Sequence, residues 1–268
     1  MTSSVSATSD SASVSGKVPR LQLRNISKSF GGVHALQHVD FEVYDGEVVA
    51  LVGDNGAGKS TLIKTISGAY VPDEGETLLD GQPVSISSPQ DSTRLGIETV
   101  YQDLALCDNL DVVANLWLGR EAYRDLIPGV LRVLDETEME RQTIDVLKIL
   151  DVKIPSVRSA VASLSGGQRQ CIAVAKTILR QPKVVLLDEP TAALGVAQTR
   201  QVLNLILRLK ERGLAVVVIS HNLHDVFEVA DRVIVMRLGK RANTFDVRSS
   251  TREQVVAAIT GATSAAAV

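Results

Sequence analysis

Apolar and polar side chains alternate where Val39, Phe41 and Val43 are separated by Asp40, Glu42 and Tyr44. A period of two marks a strand with one buried face. Asp45-Gly46 supplies a turn, and residues 47–52 form a more continuously apolar run, as a strand covered on both sides requires. A glycine-rich loop follows, then a helix from about Lys59 that stops at Gly68. Residues 75–81 and 97–101 read as further strands. Between about 104 and 163 the period changes. Residues 112–118 and 138–150 have helical spacing, with Met139, Val146, Leu147 and Leu150 on one face. This predicts a helical insertion. The alternation of elements then resumes with a helix after Ser165 and a strand at 184–187. The helix predicted over 197–212 carries Val202, Leu203, Ile206 and Leu209 on one face and is closed by Gly213. Strands at 215–219 and 232–236 complete the set, and no internal repeat is visible. Strands alternating with helices imply a largely parallel sheet covered on both faces.

Composition narrows the reading. A chain of 268 residues has room for one large domain with a subdomain inserted into it. A formal net charge of -3 does not suggest a nucleic-acid-binding surface. The two cysteines, Cys107 and Cys171, match no metal spacing and read as reduced packing residues. No stretch approaches the roughly 20 apolar residues of a membrane-spanning helix. Residues 1–18 are rich in Ser and Thr and lack the basic start and apolar run of a signal peptide, so they are expected to be a disordered leader. Residues 263–268 are expected to be a disordered tail, leaving 19–262 as a single domain. The expectation is a soluble protein that, if it works at a membrane, is held there by another chain.

The strongest chemical signal is Gly53-Asp54-Asn55-Gly56-Ala57-Gly58-Lys59-Ser60, a full P-loop pattern between an apolar strand and a helix. Its glycines let backbone N–H groups approach a polyphosphate, and the helix N-terminus adds partial positive charge. Lys59 would reach the β- and γ-phosphates of ATP, Ser60 would help hold Mg²⁺, and Thr61 would add hydrogen bonds to phosphate. The run Val184-Val185-Leu186-Leu187-Asp188-Glu189-Pro190 ends a buried strand in two carboxylates. Asp188 is the candidate metal partner and Glu189 the candidate to orient and polarise the attacking water. Acidic residues at strand ends also serve as helix caps, and the pairing with a P-loop favours the chemical role. Leu164-Ser165-Gly166-Gly167-Gln168 joins an N-cap serine to two glycines, leaving backbone N–H groups for an anion.

With that five-residue pattern in place, residues 21–261 resemble the ATP-binding subunit of ABC transporters. The resemblance implies an α/β fold: a P-loop NTPase (RecA-like) core with an antiparallel β subdomain and an inserted α-helical subdomain. It implies a head-to-tail pair of cassettes, expected to be a homodimer, in which Ser165, Gly166 and Gly167 bind the γ-phosphate held by the other P-loop. Gln102 matches the glutamine that contacts Mg²⁺ and links the core to the insertion. His221 matches the histidine that touches the γ-phosphate, whereas His34, His38 and His224 read as surface residues. Phe30 matches the aromatic that stacks on adenine; burial at a strand end is its other reading. Gly195 departs from the family, which usually has Asp there, and this puts communication between the two sites in doubt.

The residues Val100 to Leu106 in the order VYQDLAL, then Asn115-Leu116-Trp117-Leu118-Gly119-Arg120-Glu121, resemble the insertion of ribose-, xylose- and fructose-type importers. Energy coupling for a sugar importer is therefore expected, at the cytoplasmic face of a bacterial membrane. The partners implied are transmembrane permease subunits and, through them, an extracytoplasmic sugar-binding protein. An importer cassette for another solute, such as branched-chain amino acids, and a soluble cassette of DNA repair or translation are the competing readings. Trp117 and its apolar neighbours are candidates either to dock a membrane subunit or to fill the helical core.

Overall fold

The structure, a computed structural model, describes residues 17–127 and 130–262. The expected tail and all of the expected leader except Lys17 and Val18 lie outside the described residues. Strands β1 (Leu21–Phe30) and β2 (Val33–Val43) form a hairpin, and β3 (Val48–Val52) leads through the P-loop into α1 (Lys59–Ile66). Next come β4 (Glu74–Leu79), β5 (Gln82–Val84), α2 (Pro89–Arg94) and β6 (Ile97–Val100). The insertion contributes α3 (Val112–Trp117), β7 (Tyr123–Ile127), β8 (Leu131–Leu134) and α4 (Glu136–Ile149). The chain closes with α5 (Gly166–Ile178), β9 (Val184–Asp188), α6 (Val196–Glu211), β10 (Ala215–Ile219) and α7 (Leu223–Val229). Finally β11 (Arg232–Arg237), β12 (Lys240–Asp246) and α8 (Arg252–Thr260) complete it.

The central sheet has the order β12-β11-β3-β10-β9-β6, and every pairing is parallel except that of β12. One row across it reads Val233, Ala50, Val218, Leu187, Val100. All five residues of β3 are buried, and they alternate between two cores. Val48, Ala50 and Val52 pack with residues of α3, α5 and α6, while Val49 and Leu51 pack with α1 and the antiparallel sheet. Side chains of a strand point to opposite faces by turns, so a strand covered twice must be apolar throughout. That second layer is the four-stranded antiparallel sheet β2-β1-β4-β5. Val39, Phe41 and Val43 are its buried face, as their alternation predicted.

The insertion contains a hairpin as well as its helices, an element the sequence did not indicate. The hairpin β7–β8 lies between its helices, pairing Tyr123 with Leu134 and Asp125 with Arg132. Tyr123, Leu126, Ile127, Leu131 and Leu134 are all exposed. With no buried face there is no period-two signal to read. Trp117 settles in the interior of this subdomain, half-buried, with Nε1 donating to Met139 O and Thr143 Oγ1, both at 3.1 Å. Asn115 is fully buried, and its amide accepts from Cys107 N at 2.7 Å and donates to Cys107 O at 2.9 Å. Cys171 is buried, and desolvation pushes its thiol up to about 12, which makes it an inert packing group.

Candidate nucleotide site

The parallel strands bring the sequence motifs to one edge of the central sheet. Ile219 pairs with both Leu51 and Asp188, so Gly53 and His221 leave the sheet at the same level, beside Glu189. Val100 pairs with Leu187, and Gln102, exposed, lies two residues beyond it on the far side of β9.

The P-loop is held by close backbone approaches. A Cβ on Gly53 would lie 2.2 Å from Met236 O, and one on Gly58 would lie 2.7 Å from Ala35 O. Gly58 also has φ +102, a left-handed conformation that disfavours any side chain, so both positions require glycine. As N-cap of α1 it offers no side chain, which leaves the first N–H groups of the helix for a ligand. These groups open on a cleft of about 640 Å³ whose walls include Asn55, Gly56, Ala57, Gly58, Lys59, Ser60 and Thr61. Its far wall is Val33, His34, Ala35 and Gln37 from β2, with Leu238 and Gly239 from the turn between β11 and β12. The sequence did not single out these wall residues, and His34 lines the cleft although it is exposed. Its Nδ1 is 2.9 Å from Ser29 Oγ. Phe30 is not part of that wall. It stands at the end of β1, 43% exposed, with its ring edge-on to Tyr70 at 5.0 Å.

Lys59 Nζ donates to the carbonyl oxygens of Gly53 and Asp54 at 2.7 and 2.9 Å. Burial lowers its pKa, opposed by the charges of Glu189, Asp54 and Asp188. Asp188 is shifted the other way, above the usual carboxylate range, first by burial and then by the charge of Glu189, with Lys64 and Lys59 opposing. Glu189 has φ +50, and its N–H donates to Ile219 O at 3.0 Å. Its Oε2 lies 2.8 Å from Nδ1 of His221. The carboxylate is largely buried and the imidazole largely exposed, so the pair joins the sheet edge to the open surface. The sequence indicated both residues separately; their contact depends on the β9–β10 register.

Ser165 caps α5 by a reciprocal capping box: Gln168 N donates to Ser165 Oγ, and Ser165 N donates to Gln168 Oε1 at 3.0 Å. Gln168 Nε2 donates to Lys153 O at 3.1 Å, so both ends of its amide serve the cap and the insertion. Gly166 and Gly167 face the start of α6, where added Cβ atoms would meet Leu194 Cδ2 at 3.1 Å and Gln198 Cβ at 2.8 Å. Gly195 is the N-cap of α6 and supplies no capping side chain; its N–H is 3.4 Å from Gln198 Oε1. None of Ser165, Gly166, Gly167 or Gln168 lines the P-loop cleft.

Among the described residues no three His, Cys, Asp or Glu side chains cluster as a metal-binding group. Ser60, Gln102 and Asp188 offer a hydroxyl, an amide and a carboxylate oxygen, a hard donor set that fits Mg²⁺. This cation takes one or two carboxylates and completes its shell with water and phosphate oxygens.

A P-loop and an Asp-Glu pair at the C-terminal edge of a parallel sheet define a P-loop nucleotide hydrolase. The chain belongs to the ABC transporter family, whose model matches residues 36–192. It is similar to the fructose import ATP-binding protein of Rhizobium meliloti, with 48% identity over 249 residues, 91% of this chain and 95% of that one. The xylose/arabinose import ATP-binding protein of Sulfolobus acidocaldarius is 47% identical over 82% of this chain and 85% of its own length. A solved nucleotide-free ATP-binding cassette from an ABC transporter superposes with TM-score 0.76 at 26% identity, covering 90% of this chain and 98% of that one. A cassette solved as a dimer in a post-hydrolysis state with ADP and phosphate gives 0.69 at 26% identity, covering 86% and 100%. The chain is thus an ATP-binding cassette, and no described helix is long and apolar enough to cross a membrane.

Proposed function

We propose that this chain hydrolyses ATP to drive a bacterial importer of a fructose-, xylose- or ribose-type sugar. The observation that carries the ATPase reading is the Glu189–His221 contact at 2.8 Å on the sheet edge that also presents the P-loop. The relatives named above support the solute class.

In this reading the α1 N–H groups and the backbone of Gly53 to Gly58 cradle the β- and γ-phosphates. Lys59 exchanges its carbonyl partners for phosphate oxygens, with Thr61 adding a further donor. Glu189 orients the attacking water and takes up its proton, and the contact with His221 Nδ1 holds that carboxylate in place while the ring reaches the γ-phosphate. Ser60, Gln102 and Asp188 would hold Mg²⁺, whose charge would offset that of the phosphate oxygens. Phe30 supports the adenine at the rim. The cleft is completed by Ser165, Gly166 and Gly167 of a second copy, because this chain's own Ser165, Gly166 and Gly167 lie outside it. Permease subunits then place the pair at the cytoplasmic face of the membrane, with a sugar-binding protein delivering solute from the other side.

Glu189→Gln tests the assignment. It keeps the side-chain shape but removes the base, so turnover falls at least about 100-fold while ATP binding persists. The variant then accumulates as an ATP-bound dimer in size-exclusion chromatography. Wild-type turnover by Glu189→Gln would remove Glu189 from this role. For the solute, proteoliposomes holding the cassette with its permease should take up labelled fructose, xylose or ribose only with ATP inside. Uptake of branched-chain amino acids instead would replace the sugar.

A further inference from the structure

Beneath the Glu189–His221 contact the same two segments are joined a second time. Thr191 Oγ1 donates to Asp225 Oδ2 at 2.8 Å. Thr191 lies just past Glu189 and Pro190, and Asp225 sits in the first turn of α7, which follows His221. Asp225 is 7% exposed, an unusual position for a carboxylate. It looks onto a small space bounded by Pro190, Val218, Ser220 and Val226. A carboxylate removed from water into apolar surroundings is costly unless it is hydrogen-bonded, so the Thr191 hydroxyl is a partner of consequence.

The loop that Thr191 anchors is strained. Glu189 and Ala193 both adopt left-handed backbone, with φ +50 and +58, although each carries a Cβ. Such conformations persist where surrounding contacts over-determine them. Here Glu189 N–H is fixed to Ile219 O at 3.0 Å, and Ala192 N–H closes a turn on Glu189 O at 3.1 Å. Those bonds hold the loop to β10 and to itself. The Thr191–Asp225 bond ties it to α7, the element that follows the histidine.

We propose that Asp225 is a positioning residue for hydrolysis: through Thr191 it keeps the Glu189 turn and the His221 segment in register, so that the carboxylate stays on the imidazole. The inference rests on the roles given above to Glu189 and His221. Asp225 does not line the P-loop cleft. Its contribution is geometric, and small misplacements of a catalytic group are expensive in rate.

The test compares kcat, KM for ATP and melting temperature in the full chain. Thr191→Val removes the donor at nearly constant volume, and kcat is expected to fall about 10- to 100-fold with KM within about threefold. Thr191→Ser restores the hydroxyl and should recover most of the loss. Asp225→Asn keeps an acceptor oxygen and should stay within about threefold of wild type, whereas Asp225→Ala should match Thr191→Val. If Asp225→Ala does not fold, Asp225→Asn and the two Thr191 variants decide. Wild-type kcat in a folded Thr191→Val, no rescue by serine, or parallel changes in kcat and KM would each overturn the proposal. Glu189→Gln run alongside separates the two claims. Turnover in that variant defeats the underlying assignment, while an inactive Glu189→Gln beside a fully active Thr191→Val defeats this inference alone.

Discussion

Lys59 folds back on the loop that presents it, its Nζ donating to Gly53 O at 2.7 Å. The ammonium is thereby kept hydrogen-bonded in a half-buried setting and is poised to trade a carbonyl for a phosphate. Hydrogen bonds to charged groups are worth about 1.5–3 kcal/mol, so Lys59→Ala should weaken ATP binding by about 10- to 150-fold. Calorimetric titration with ATP in the presence of Mg²⁺ measures this, and an unchanged affinity would count against the P-loop assignment.

Asp188 makes a prediction about stability and pH. Burial and Glu189 raise its pKa above the ordinary 3.8. As pH rises from that ordinary value to the raised one, the unfolded chain has released a proton that the folded chain still holds. Stability therefore falls through this window, and above it the ionised carboxylate remains a cost. Asp188→Asn should melt higher than wild type at about pH 7 without nucleotide, with the gap closing below about pH 4. The same variant should lose Mg²⁺-dependent turnover. Scanning calorimetry across this pH range checks the first outcome, and a phosphate-release assay the second.

Gly167 is pinned by its neighbour rather than by its backbone angles. A Cβ there would meet Gln198 Cβ at 2.8 Å and Cα at 3.1 Å, so Gly167→Ala must push the starts of α5 and α6 apart. Overpacking of this kind costs about 1–3 kcal/mol. Turnover should fall about tenfold or more, since a displaced Gly167 would misalign with the P-loop of a second copy in the proposed pair. ATP binding to the isolated chain should be unchanged, because the P-loop cleft contains none of these residues. Loss of binding along with turnover would mean that the substitution acts on the fold as a whole.

Asn115 offers a test of the insertion. Its amide spans Cys107 and the carbonyls of Leu110 and Asp111, from a position with no exposed surface. Asn115→Ala would strand several buried polar groups at about 1–3 kcal/mol for each left unsatisfied, partly relieved if water enters. The insertion should then open before the core. Hydrogen exchange should rise in α3 and α4 while β3 and β10 stay protected. Uniform exchange throughout would show that the insertion and core unfold together.

The core was legible because burial wrote itself into the chain. A strand covered on both faces must be apolar, and β3, β9 and β10 were read at nearly their true limits. The P-loop was legible because its glycines answer local geometric needs. Other features depend on partners distant in sequence. Val33, Ala35 and Gly239 became cleft walls because β2 and the turn after β11 approach the P-loop. The Glu189–His221 and Thr191–Asp225 contacts need the parallel register of β9 and β10. The helix α7 was missed because it is only seven residues long, and β12 because its side chains are nearly all exposed.

The row Val233, Ala50, Val218, Leu187, Val100 joins segments widely separated along the chain. Such pairings must close long loops before any contact rewards them, which makes folding slow. A growing chain therefore presents its P-loop well before β10 and the His221 that follows it have been synthesised. During translation this protein could meet nucleotide early yet have no assembled machinery to spend it.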